Sequence, residues 1–394
     1  MSGNPVTDDA TDLAAFPHSA GAGRRLVYVD GLRLIAVIGV FVIHVCEVFN
    51  PWDEWHVTNV ERSRIAGEIV VVMAPWIMPL FIALAGVSAW YSLGRRTNGA
   101  YLRDRVRRLL LPLAVGVPLL VLPQVYLERR FRGQYHGTIW SFVPHFFEGI
   151  YPQGNLSWHH LWFLAHLMLY ALIALPLFRY MQREAGHAQL DRLARLSGGR
   201  WGLLWLALPL ILERHLLWGL FPERHMLTSD WSNHALLFVA YVYGFVLAGE
   251  PWLGAAIDAQ WTRALAVAVI TTALVMAGMW VGLLPGGLPA PYSLSYLLFW
   301  TLYAVGAWAW MVAVLGAGRR WLTHENRLLG YCRQAGYGWY LVHQPIIVAL
   351  TVVIAPLHQS VAVKFPALFA LSALGTLAAG ELLRRTPGVR AVLG

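Results

Sequence analysis

Arg33 and His44 lie on the first strongly apolar stretch of the chain, Tyr28 to His44, with ten uncharged residues between them. On a helix turning about 100° per residue, eleven steps bring the two side chains within roughly 20° of one another and about 16 Å apart along the axis. One face thus carries a guanidinium near one end and an imidazole deeper in. Imidazole titrates near neutral pH and can take a proton from a hydroxyl, whereas guanidinium holds phosphate or carboxylate by charge-assisted hydrogen bonds. Ionisable groups at membrane depth are costly and point to function. A structural reading stays open beside this one, with His44 bonded to a neighbouring helix and Arg33 reaching the inner headgroups. Asp30 precedes Arg33 by three residues and Glu47 follows His44 by three, the spacing of pairs on one helix face. Glu47 can therefore orient His44, or it can reach the outer interface.

Other polar groups stand close to apolar segments. The run Arg95 to Arg108 is the densest basic stretch and leads into Leu109-Leu-Leu-Pro112. Arg105 and Arg108, where the chain enters the membrane, are suited to lipid headgroups or to the phosphates of a nucleotide-bearing cofactor. Downstream come His159-His-Leu-Trp-Phe-Leu-Ala-His166 and Tyr337-Gly-Trp-Tyr-Leu-Val-His-Gln-Pro345. His343 and Gln344 precede a proline that frees a backbone carbonyl, which makes them candidates for a site wall. No carboxylate or cysteine stands near His159, His160 and His166 in sequence, so no metal is expected there. Cys46 and Cys332 fall in different segments, which argues against a disulfide. Neither a Gly-x-Ser-x-Gly elbow nor a Walker-type phosphate loop occurs, which disfavours hydrolase and nucleotide-motor classes.

The elements that must position these residues are membrane spans. The chain is 58% hydrophobic and 13% charged, with mean hydropathy +0.53, outside the range of soluble domains. Its net charge of +9 is scattered between apolar segments, so it reads as a topology signal and excludes nucleic acid as a partner. Apolar windows of spanning length occur near 27–49, 67–93, 108–127, 159–180, 201–220, 233–249, 262–284, 293–316, 335–356 and 361–383. The expected fold is an all-α integral membrane bundle of about ten helices, multipass in the cytoplasmic (inner) membrane. Arginine and lysine number 21 on the side of the N-terminus against 8 on the other, which predicts both termini in the cytoplasm. A polar tail at 1–25, one membrane domain at 26–385 and a short tail at 386–394 complete the expected organisation, with no cleaved signal peptide. The outer segment 128–158 is rich in aromatic and histidine residues. It is expected either to fold back on the bundle or to form an interfacial aromatic belt.

Arg33, ten residues and His44, preceded by Tyr28-Val-Asp-Gly-Leu, closely resemble the first-span signature of acyltransferase family 3. Members of that family O-acylate carbohydrates and other hydroxyl acceptors. Phe81-Ile-Ala-Leu-Ala-Gly86 resembles the family's Phe-x-x-x-Ser-Gly stretch, with Ala85 where serine is usual. Arg105-Val-Arg-Arg108 resembles its Arg-x-x-Arg motif, and His160 to Leu164 with Tyr340 to Pro345 resemble the glucan succinyltransferase branch. The resemblance covers about 25–385 and implies His44 as catalytic base, with Arg33, Arg105 and Arg108 on an acyl-CoA donor. Trp162, His160, His343 and Gln344 are then expected around a carbohydrate or glycolipid acceptor, with no metal cofactor. Some members of the family carry a fused hydrolase-like extracytoplasmic domain; with Gly394 soon after the tenth expected span, none is expected here. A transporter or flippase for a lipid-linked sugar is the competing class, although neither inverted repeats nor interrupted short spans are evident.

Overall fold

The computed structural model describes residues 26–197, 199–222, 226–282 and 290–388. The tail at 1–25 and residues 389–394 lie outside the described residues. Twelve α-helices follow in order: α1 (Val27–Glu47), α2 (Arg64–Leu93), α3 (Asn98–Phe131), α4 (Ile139–His145), α5 (His159–Met181) and α6 (Glu184–Leu196). Then come α7 (Leu208–Leu216), α8 (Trp231–Gly249), α9 (Pro251–Trp280), α10 (Leu294–Trp321), α11 (Arg327–Ile354) and α12 (Val361–Arg385). No strand occurs among the described residues, only an isolated bridge between Ile150 and Leu156. All but α4, α6 and α7 are long and apolar enough to cross a membrane, giving nine such helices among the described residues.

The expected tenth span, 201–220, is interrupted. A 3-10 turn at Gly202–Ala207 leads into α7, whose second residue, Pro209, cannot donate back into the preceding turn. This segment nonetheless lies along α10, because Trp308 Nε1 donates to Leu203 O at 2.7 Å and Tyr296 OH to Arg214 O at 3.0 Å. The stretch of α10 between those contacts is about 18 Å long.

Helix α1 is central, packing against α2, α10, α11 and α12. Leu32, Ala36, Val40 and Ile43 recur at helical spacing and are buried, while Ile35 and Ile38 on the other face are exposed toward lipid. Two helices meet most closely where α2 crosses α8. A Cβ at Gly86 would lie 2.0 Å from Tyr241 O, and one at Gly244 1.7 Å from Ala83 O. Only glycine allows backbones to touch in this way.

The basic run, which lies between the expected spans 67–93 and 108–127, is helical from Asn98 on and opens α3. Thr97 caps this helix by accepting from Ala100 N at 3.3 Å, and Asp104 binds Arg108 one turn ahead at 3.0 Å. The helix then passes through π turns at Val106–Leu110 and Val117–Val121. Pro112 has no N–H for the carbonyl of Arg108. That oxygen accepts from Tyr337 OH on α11 at 3.0 Å, so a helix irregularity becomes an interhelical bond.

Candidate active site

The openings of α1, α3 and α11 enclose a cavity of about 640 Å³. Arg33, Arg105, Arg107, Arg108 and Arg333 line it, opposed by Asp30 and Asp104. Arg33 donates to Asp30 at 3.2 Å, as the three-residue spacing leads one to expect, and to Leu84 O at 3.2 Å and Ser88 Oγ on α2. Ala85 and Ser88 share the cavity wall one turn apart. The hydroxyl missing at Ala85 is therefore supplied a turn later, against the arginine of the signature. Asp104 binds Arg96 at 3.0 Å, Arg105 at 3.1 Å and Arg108 at 3.0 Å. Even so, Arg105 Nε is buried without a hydrogen-bond partner. Arg333 is also paired with Glu325 at 2.6 Å, yet five arginines against Asp30 and Asp104 leave the lining with an excess of positive charge, which favours an anion.

The inner end of this cavity is closed by aromatic rings. Phe81, Phe163 and Tyr340 line it, with Tyr340 5.8 Å from Phe163 and 6.4 Å from Phe81 between centroids. Immediately behind Tyr340, at 5.9 Å, lies the ring of His343. His343 Nδ1 sits 2.7 Å from Tyr340 O and its Nε2 2.8 Å from His44 Nδ1. A carbonyl only accepts, so His343 donates from Nδ1 and presents the lone pair of Nε2. His44 must then donate from Nδ1, which puts its own lone pair on Nε2. Histidine 343 thus sets the tautomer of His44, a task the sequence offered to Glu47. The carboxylate of Glu47 instead accepts from Asn50 Nδ2 at 2.8 Å.

Around this pair, His160 Nε2 donates to Leu341 O at 2.9 Å. That carbonyl lies four residues before Pro345, so it is the one the proline frees. His160 and His343 are 5.4 Å apart between ring centroids, and Tyr340 OH donates to His160 O at 2.5 Å. Gln344 turns away, its Nε2 donating to Gln124 Oε1 on α3 at 3.0 Å. Trp162 packs edge-on against His166 at 4.9 Å. The predicted residues therefore divide into Arg33, Arg105 and Arg108 at the cavity, His44, His160 and His343 behind it, and Gln344, Trp162 and Glu47 engaged elsewhere. Spacing did not reveal Ser88 or Arg333, which distant helices bring to the cavity with nothing local to mark them; Arg107 and Tyr340 fall within the motif stretches, beside Arg108 and His343, but spacing does not single them out.

The far end of α3 carries a second polar region, roughly 30 Å of helix from Arg108. Here 128–158 folds back on the bundle: Phe142 and Phe146 are buried, and Arg129 binds Asn155 Oδ1 at 2.9 Å, Pro152 O at 2.9 Å and Gly154 O at 2.7 Å. Arg129, Gln134, Tyr135, Phe142, Glu148 and Asn155 are among the residues lining an open cavity of about 420 Å³. Glu128 on α3 accepts from Tyr151 OH at 3.1 Å, and His56 Nδ1 lies 3.1 Å from its other oxygen. Burial, and next the negative charge of Glu128, push the Tyr151 phenol up, so it stays a donor.

The acyltransferase domain model matches residues 26–383. Similar proteins include the glucans biosynthesis protein C of Salmonella agona and of Salmonella paratyphi A, each 21% identical over 353 residues that cover 84% of this chain and 85% of the relative. The same name and coverage recur in Salmonella dublin, also at 21% identity. No solved structure matches. A match over nearly the whole length, on a multipass helical bundle, identifies this chain as a member of acyltransferase family 3.

Proposed function

We propose that the protein transfers an acyl group, such as acetyl or succinyl, from cytoplasmic acyl-CoA to a hydroxyl of an extracytoplasmic carbohydrate or glycolipid. The observation that carries this reading is the arginine-lined cavity ending at Tyr340, with the His343–His44 pair directly behind it. Arg33, Arg105 and Arg108 hold the phosphates of the donor, and the buried, unpartnered Arg105 Nε is a ready donor to one of them. The thioester reaches past the Phe81, Phe163 and Tyr340 rings toward His44. His44 Nε2 takes the proton of the acceptor hydroxyl as its oxygen bonds to the thioester carbonyl carbon. The carbon–sulfur bond then breaks, and the thiolate of CoA leaves with the proton returned by His44. Arg33 and His44, about 16 Å apart on an ideal helix, serve donor and acceptor separately. The open cavity beside Tyr135 and Arg129 suits a sugar, since aromatic faces and amide groups are its usual contacts, and relatives named for glucan biosynthesis support such an acceptor.

Purified protein given labelled acetyl-CoA or succinyl-CoA and a glucan acceptor tests this. Label is expected on the glucan, with His44→Ala slowing transfer by about 10²-fold to 10⁴-fold and Arg105→Ala chiefly raising KM for the donor. Transfer unchanged in both His44→Ala and Arg33→Ala would remove the assignment. Movement of a lipid-linked sugar without any use of acyl-CoA would favour a flippase.

A further inference from the structure

The sequence places no carboxylate near His159, but the fold does. Glu128 from α3, His56 from the α1–α2 connection and His159 at the start of α5 present one ligand atom each within 4.8 Å of one another. His56 Nδ1 is 3.1 Å and His159 Nε2 3.9 Å from the same oxygen, Glu128 Oε2. Ligand atoms on a tetrahedral ion with bonds near 2.0–2.1 Å stand about 3.3 Å apart, so the set closes when the His56 and His159 rings, now stacked at 3.9 Å between centroids, turn their nitrogens toward a common point beside Glu128. The side chains of Glu128 and His159 are each 1% exposed, and His159 Nε2 has no hydrogen-bond partner. An imidazole nitrogen buried without a partner is costly unless something occupies the space before it.

The surrounding contacts are those that orient metal ligands. Tyr151 OH and the guanidinium of Arg132 engage Glu128 Oε1, at 3.1 Å and 3.6 Å, leaving Oε2 for the histidines. Ser157 Oγ accepts the backbone N–H of His159 at 3.0 Å and faces Nδ1 at 2.9 Å. A donating Nδ1 turns the lone pair of Nε2 on the carboxylate, and two acceptors face each other until a cation lies between them.

We propose that His56, Glu128 and His159 form a three-ligand site for a divalent transition metal, zinc by its nitrogen and carboxylate donors. Two imidazoles and one carboxylate select zinc over calcium or magnesium, which prefer oxygen alone. The ion ties the α1–α2 connection to α3 and α5. His56 follows Trp55, whose ring lies 5.8 Å from His44, so the metal also holds the wall of the histidine cluster in place.

The full chain in detergent, stripped with a chelator, incubated with zinc chloride and desalted, is expected to retain about one zinc per chain by elemental mass spectrometry. Zinc is expected to raise its Tm, and cobalt to give the visible absorption bands of a low-coordinate nitrogen and oxygen site. His159→Ala and Glu128→Gln are expected to lose most retained zinc and the cobalt bands, while His136→Ala, at an exposed position, keeps both. Failure of the wild-type chain to retain zinc overturns the proposal without reference to any variant. So does retention by monodisperse His56→Ala/His159→Ala protein at the wild-type level.

Discussion

The carbonyl of Tyr340 on α11 governs the imidazole on α1. Because Tyr340 O can only accept, it fixes His343, and His343 in turn fixes His44 with its basic nitrogen at Nε2. His343 is thus a positioning residue in the proposed reaction. Replacing it with leucine should lower kcat about 10-fold to 100-fold, the usual cost of removing such an orienting partner, with little change in KM for acyl-CoA. His343→Gln should retain more activity, since an amide can donate to Tyr340 O and accept from His44 Nδ1. Equal losses in the two variants, or a loss confined to KM, would sink this role. At this scale the chemistry-bearing types at Arg33 and His44 were legible from spacing, as was the Asp30–Arg33 pair. The pairing of His44 with His343 was not, because the two lie 299 residues apart in sequence; the proline two residues on marked His343 as a wall residue, not as this partner.

Helices are held in register by the places where their regularity fails. The carbonyls freed by Pro112 and Pro345 bond to Tyr337 and His160, which joins α3 to α11 and α5 to α11. The glycine contact between α2 and α8 does similar work behind the cavity wall, since Gly86 directly follows Ala85 and lies two residues before Ser88. Gly244→Ala would drive a Cβ into Ala83 O, 1.7 Å away, and should destabilise by about 1–3 kcal/mol, as overpacking does. Gly330→Ala on α11, which meets nothing within 4 Å, should leave Tm unchanged or slightly higher. Thermal unfolding of the two variants in detergent checks the contrast, and equal Tm values would show that the close approach is not limiting. Proline and glycine positions were visible in the sequence, but the groups that answer them belong to other helices.

Across the whole molecule, one helix links two polar regions. Arg105 and Arg108 stand near the start of α3 and Glu128 and Arg129 near its end, so in the proposed reaction the anionic donor and the hydroxyl acceptor approach from opposite ends of this helix. The distribution of arginine predicts that the first of these ends, with both termini, faces the cytoplasm. A green fluorescent protein fused after Gly394 should therefore fluoresce in cells, and alkaline phosphatase inserted at Gln153 should be active. The reverse pattern would invert the proposed direction of transfer. At 202–216 an expected span is broken, because an apolar run satisfies a hydropathy window whether or not its backbone is one continuous helix.

Composition and apolar periodicity determined that the chain is a multipass helical bundle, and motif spacing determined which end of α1 carries the guanidinium and which the imidazole. Those properties follow from local chemistry: about 20 apolar residues cross a bilayer, and eleven residues make three turns. Tertiary structure alone decided that Tyr340 and His343 separate the arginine cavity from His44, that His343 rather than Glu47 pairs with His44, and that Glu128 meets His56 and His159. Each of those contacts joins helices or loops far apart in the chain. Hydrogen bonds and packing between elements choose among partners that no pattern along a single element distinguishes.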